Sequence, residues 1–416
     1  MSSATRLALA SLFVFAGCNG VGSGGSSHST TTAPTTSQTT TAPPSSQSTT
    51  TPVTTAALSG TPSNWLYVAN AGNDAITTFR LDATGIPSGP ADTQLMPNPP
   101  LPGGGVFHVV SITADPTGQF LFCAGNQTRA VLVNGNLPAV LPIQLASGTL
   151  TPGAAVTGKA GVSIGVVATA NVVVAVTSAS QGTLDSYSYA TPGGALTAGT
   201  SMQQGTNGPP VAAVIDPTAT YVYCVNPTDQ TVQAFPIDST GFITGGVMLP
   251  AAISTPARAQ AIAIDSFGYN VFLGNANGTI SSFQIASPGQ LAPGVTSVSV
   301  EPNGSVANAS IQSIAIDPTG TYLVTANGPS GDVSLLQIAA TGITLVGTPY
   351  VTPNSAIALP ASVAFNQGGN VVYVANAGTN TISALAITSA GLAALPGSPF
   401  ALPSGDTLPA SLAVSQ

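Results

Sequence analysis

The sequence predicts an all-β fold, a seven-bladed β-propeller built of four-stranded antiparallel blades. Three observations predict it. One pattern recurs from Trp65 to the end of the chain. Its period, about fifty residues, is that of a four-stranded propeller blade. The 416 residues carry 46 glycines, 35 prolines and 43% apolar side chains with no helical periodicity. That balance suits many short strands joined by tight turns around a buried core.

Each unit opens with a short apolar strand that ends in a turn such as Asp115-Pro116-Thr117-Gly118 or Asp317-Pro318-Thr319-Gly320. In such a turn Pro presets φ at the first central position, Asp caps the turn, and Gly accepts a positive φ. Asp216-Pro217-Thr218-Ala219 and Asp265-Ser266-Phe267-Gly268 are variants of it. These Asp residues read as structural. A second strand follows, as in Leu66-Tyr67-Val68-Ala69-Asn70 and Tyr322–Asn327. Taking residues 70, 125, 178, 226, 275, 327 and 376 as equivalent, successive separations are 55, 53, 48, 49, 52 and 49 residues. The Asn residues that recur there read as turn residues. Third strands align at Ala75–Phe79, Thr183–Tyr187, Thr231–Phe235, Thr279–Phe283, Asp332–Leu336 and Thr381–Leu385, and a Gly-rich segment closes each unit.

The first unit lacks an inner strand, whereas Ala410–Val414 at the end of the chain reads like Gln312–Ile316, an inner strand. The C-terminal strand is therefore expected to join blade 1 and close the ring, leaving no unpaired inner edge.

Upstream of the repeats the chain changes character. Arg6 precedes an apolar run, Leu7 to Ala16, that is too short to span a bilayer and ends in Phe15-Ala16-Gly17-Cys18. This run resembles the signal of bacterial lipoproteins, which implies lipidation at Cys18. Residues 1–18 are read as that signal peptide. Residues 19–62, nearly all Ser, Thr, Gly, Pro and Ala, are read as a disordered tether, since such a stretch buries too little apolar area to offset chain entropy. Residues 63–416 are read as the propeller. The expected location is the cell envelope, outer membrane or cell surface, with the lipid anchor as the contact to the membrane.

A net charge of −8, a pI near 4.2 and only 4% charged residues exclude nucleic acid as a partner, because phosphate binding needs a basic face. Cys123 and Cys224 fall on second strands of blades that are not neighbours, so both read as buried free thiols rather than a disulfide. No metal-ligand cluster and no phosphate-binding Gly loop is visible, and no cofactor is expected. A monomer is expected.

With few cations present, each can be placed individually. His108 lies seven residues before Asp115, and Arg258 lies seven before Asp265, so the two are equivalent positions in blades 2 and 5. Both are expected where an inner strand enters the channel mouth. Lys159 in blade 3 and Arg129 after the second strand of blade 2 are expected near the same rim. Arg80, at the end of a third strand, should face the other way. A mouth holding most of the cations of an acidic chain would attract a small anionic ligand. Glu301, the only Glu, falls in a loop between blades 5 and 6 on the same face and reads as a solvated side chain, with general acid or base as the alternative role.

At Leu66-Tyr67-Val68-Ala69-Asn70 and Val372-Tyr373-Val374-Ala375-Asn376-Ala377-Gly378 the sequence resembles YVTN-type repeat propellers. Over residues 64–416 it is similar to the lactonase-type seven-bladed propeller family, which includes 6-phosphogluconolactonase and muconate-cyclising enzymes. The resemblance implies the propeller fold and His, Arg and Glu at the central channel, often with a His-Pro-His-like segment before an inner strand. The matching segment here is Val106-Phe107-His108, with one His and no Pro, and Cys123-Ala124-Gly125 stands where Asp-Leu-Gly is common. Two functions are expected. The main one is a lipid-anchored binding or interaction module for a small anionic ligand or a protein partner. The alternative is a lactonase-like hydrolase of sugar lactones, with His108 and Arg258 in the catalytic roles and Lys159 and Arg129 binding the ligand.

Overall fold

Along the second strand of blade 1, alternate side chains enter two different cores. Leu66 and Val68 pack with Val371, Tyr373 and Leu412, whereas Tyr67 and Ala69 pack with Phe107, Val109 and Leu121. Both faces of each blade are buried between neighbours. This is why the second strands read as unbroken apolar runs instead of alternating ones. The computed structural model describes residues 65–415 except 96–104, 130–136, 147–148, 159–160, 170, 179–181, 191–192, 204–207, 245–252, 256, 293–295, 302–309 and 341. Cys18, the residues read as signal and tether, and Lys159 lie outside the described residues.

Seven antiparallel sheets form the blades. Their inner strands are Pro409–Ser415 in blade 1, Gly105–Ala114, Ser163–Thr169, Ala212–Ile215, Ala259–Ile264, Ile311–Ile316 and, in blade 7, Pro360–Phe365. Each contacts the next, and the last contacts the first, so the inner strands form a closed ring around an axis. Every inner strand runs from what is here termed the upper face to the lower. The third strands begin at the residues read from sequence and run longer, for example Ala75–Leu81 and Thr381–Thr388. In blades 2, 5, 6 and 7 two short strands share the outer edge, both pairing with the third strand.

The C-terminal strand closes the ring as expected: Trp65 to Asn70 pairs antiparallel with Ser415 back to Pro409. Serines stitch the inner ring from blade to blade. Ser313 Oγ accepts from Val363 N, Ser362 Oγ from Leu412 N and Ser411 Oγ from Ile112 N, at 3.2–3.3 Å. Asp406, 5% exposed, pins the loop before the closing strand to blade 1. Its carboxylate accepts from Asn73 Nδ2 at 2.7 Å, Thr77 Oγ1 at 2.6 Å and Thr93 Oγ1 at 2.5 Å. Asp406→Ala would leave three donors without an acceptor. At about 1 kcal/mol each it should lower unfolding stability by roughly 3 kcal/mol, read as a shifted denaturant midpoint with unchanged slope.

The turn Asp residues are structural, as read. Asp115 and Asp317 are each 3% exposed and accept from backbone N–H groups of their own turns, including Phe120 N at 2.8 Å and Tyr322 N at 2.5 Å. Two sequence readings need correction. Four of the five recurring Asn residues are not turn residues: Asn70, Asn275, Asn327 and Asn376 end second strands, are at most 1% exposed and donate to a hydroxyl on the third strand, whereas Asn226 holds its turn as read, its Oδ1 accepting from Thr228 N and Asp229 N at 3.0 and 3.1 Å. The four bracket the upper ends of the hairpins of blades 1, 5, 6 and 7. In blade 3 the second strand is Val172–Thr177, and Thr177, not Ser178, stands opposite the start of the inner strand.

Candidate functional site

Ladder register places the two leading candidates at one level. Val109 pairs with Gly125 and Ala259 with Asn275, and a one-residue bulge follows each, at residues 110 and 260. His108 and Arg258 therefore occupy the same position on their inner strands, on the upper face, three blades apart around the ring. Blade 2 differs in length, because its inner and second strands, Gly105–Ala114 and Phe120–Arg129, extend three further pairs above His108. There is a local reason that blade 2 carries Gly125 where blades 1, 4, 5, 6 and 7 have Asn. A Cβ at Gly125 would meet the His108 carbonyl oxygen at 2.4 Å and the Phe107 ring at 2.5 Å. Phe107, 2% exposed, fills the space that the Asn bracket uses elsewhere.

His108 does not stand alone. Its Nδ1 lies 2.8 Å from Asp74 Oδ2, the only ion pair among the described residues, and the two side chains are each 25% exposed. The other carboxylate oxygen of Asp74 accepts from Val109 N at 3.2 Å. Asp74 sits at φ 57° in the loop between the second and third strands of blade 1, so the pair bridges the seam between two blades. A carboxylate held at both oxygens fixes the ring orientation and directs the proton of Nδ1 towards itself, which makes Nε2 the basic nitrogen. Nothing in the sequence points to Asp74, since a loop Asp in one blade carries no sign that it reaches the His of the next.

Arg258 is exposed at the rim, and its carbonyl oxygen accepts from Ala276 N at 2.8 Å. Its guanidinium has no ion-pair partner among the described residues. Arg129 pairs through its backbone with Gly105 at the raised upper end of blade 2, and its side chain lies outside what is described. Arg80, opposite Trp65, lies at the lower end of blade 1, as expected.

Below the rim the channel opens into a cavity of about 200 Å³. Residues at and just inside the bulges line it, among them Ile164, Val211, Gln260 and Gln312 with Ser111 and Ser313. His108 and Arg258 are not among its lining residues; they stand above it.

Two other groups bear on the chemistry. Glu301 is half-buried rather than solvated. Desolvation, with the charge of Asp332 behind it, raises its pKa, and burial raises that of Asp332 as well. A carboxyl so placed holds its proton longer than an ordinary Glu. Cys123 and Cys224 are buried thiols in no disulfide. Burial, and for Cys123 the charge of Asp74, raises both pKa values, that of Cys224 to about 12. Neither thiol can serve as a thiolate nucleophile.

A family profile described as "Lactonase, 7-bladed beta-propeller" matches residues 171–395, more than half of the chain. The chain belongs to this lactonase family. Solved structures agree on the fold. A putative 6-phosphogluconolactonase from Bacteroides fragilis superposes with a TM-score of 0.66 at 16% identity, covering 85% of this chain and 98% of that one. A periplasmic gluconolactonase from Pseudomonas aeruginosa gives 0.66 at 16% identity, covering 85% and 99%. A protein from Lactobacillus plantarum gives 0.66 at 15%, again covering 85% and 99%. None of the curated proteins matches the chain. Membership in the lactonase family fixes the propeller, and at such identities the solved structures speak to fold and not to chemistry.

Proposed function

We propose that the protein is a lactonase-like hydrolase acting at the upper channel mouth, the alternative reading of the sequence rather than its main one. The observation that carries it is the His108–Asp74 pair, set in register with an exposed Arg258. Family membership supports it. Lactone hydrolysis needs a water activated against an ester carbonyl. In this scheme His108 Nε2 takes a proton from the attacking water, and Asp74 stabilises the imidazolium. The ring C–O bond of the tetrahedral intermediate then breaks, and the same proton passes to the departing alkoxide. Arg258 holds an anionic substituent of the substrate through charge-assisted hydrogen bonds. Arg129 and Lys159 are proposed to add positive charge around the same rim.

The purified protein, tested against phosphorylated and unphosphorylated sugar lactones, should open at least one faster than buffer does. A binding module is the reading that remains if none turns over.

We further propose that the propeller works outside the cytoplasm, anchored through lipidated Cys18. Cys18→Ser should move the protein from the membrane fraction to the soluble fraction and abolish fatty-acid labelling. Unchanged labelling would contradict the anchor.

A further inference from the structure

Six of the seven inner strands carry a one-residue bulge at one level, and three of the bulge residues, Ile164, Gln260 and Gln312, line the cavity. Register identifies the bulge residues as Val110, Ile164, Gln260, Gln312, Ala361 and Ala410 in blades 2, 3, 5, 6, 7 and 1. Only two of the six are polar, and they are neighbours. Gln260 and Gln312 are joined through Ser310, whose residue is 3% exposed. Ser310 Oγ donates to Gln260 Oε1 at 2.5 Å, and Gln312 Nε2 donates to Ser310 Oγ at 3.2 Å and to Gln260 Oε1 at 3.4 Å.

This network leaves a definite remainder. Gln260 Oε1 is saturated, and the Nε2 of Gln260 and the Oε1 of Gln312 make no hydrogen bond among the described residues. Both side chains line the cavity. A donor and an acceptor held side by side on rigid strands match a hydroxyl group, which both accepts and donates. A lone apolar ligand would leave both unsatisfied, at a cost. Just before the same inner strand, two residues above Gln260, stands Arg258.

We propose that Gln260, Ser310 and Gln312 form a hydroxyl-reading subsite, in which Ser310 positions the two amides and the amides select ligands carrying hydroxyl groups next to the anion at Arg258. The proposal rests on the reading of Arg258 as an anion site. It goes beyond that reading by assigning selectivity to neutral residues that no charge argument would find.

Binding of D-gluconate and of hexanoate to the full-length protein, measured by calorimetry, tests it. The two carry the same carboxylate on six carbons and differ in hydroxyls. Gluconate should bind about 10- to 30-fold more tightly, the sum of two neutral hydrogen bonds at roughly 1 kcal/mol each. Gln260→Leu/Gln312→Leu should bring gluconate down to the affinity of hexanoate. Ser310→Ala, a smaller change to the fold, should remove part of the difference. Arg258→Ala should weaken both ligands by one factor and leave their ratio intact, so failure of the anion site is distinguishable from failure of the subsite. Equal affinities in the native protein, no binding of either ligand, or a preference that survives the double substitution would overturn the proposal.

Discussion

Removal of residues 408–416 should unfold the propeller at ordinary temperatures. The deletion takes out the entire inner strand of blade 1 and with it the pairing of Trp65–Asn70. Leu412 and Ala413 leave the cores on either side of the blade, uncovering Leu66 and Val68 on one side and Tyr67 on the other. Burial of a large apolar side chain stabilises by about 1.5–3 kcal/mol. The loss of several at once, with a row of unsatisfied strand groups, amounts to roughly 5–10 kcal/mol, comparable to the whole stability of a domain. The ring stitches at Ser411 and Ser362 are lost too. Deleting residues 20–58, which composition assigns to the tether, should shift the melting temperature little. Thermal melts of the two deletions, compared directly, check this; equal effects would show that the C-terminal strand does not hold the ring together. Exposed inner edges should also make the first deletion prone to aggregate.

The second large effect concerns turnover. His108→Ala should lower kcat on the best lactone by about 100- to 10,000-fold, the span that a positioned acid or base contributes. Asp74→Asn is the sharper variant. Asp74 occupies the left-handed region, φ 57°, which Asn tolerates well, and an Asn Oδ1 can still accept from Val109 N. Backbone and fold should therefore persist while the charge that orients and stabilises the imidazolium disappears. A loss of kcat with KM and melting temperature nearly unchanged is the expected result. A fall in stability with kcat intact would make the pair a structural tie between blades 1 and 2 instead.

Much of this architecture is legible in the sequence, because each blade repeats residues whose local physics is strong. Asp-Pro-Thr-Gly turns and third strands opening on Thr or Asp fell where the sequence places them, as did the apolar second strands except that of blade 3, which is shifted by one residue. Blade 2 was harder to read. Its third strand, Leu137–Ala146, contains Pro138 and Pro142 and lacks the motif of the other blades. It is held by pairing with the long Phe120–Arg129 strand rather than by local preference. Four of the five Asn residues were misread because Asn is a common turn former, a role that Asn226 does fill; for the others burial and a third-strand hydroxyl, as in Asn327 and Ser334, decided their role.

The site was legible in part. Counting back from the turns put His108 and Arg258 at one level, since register survives from blade to blade. Asp74 and the Gln260–Ser310–Gln312 network were not, because each depends on contact between blades. A bulge that turns two ordinary Gln residues towards one cavity leaves no mark in a single strand's pattern.

Hydrolysis of glucono-1,5-lactone, corrected for its spontaneous opening, tests the account most directly when the native protein and His108→Ala are measured side by side. The account predicts clear acceleration by the native protein and its loss, by about 100-fold or more, in the variant. Acceleration that persists undiminished in His108→Ala, or none from the native protein on this or any related lactone, would contradict it.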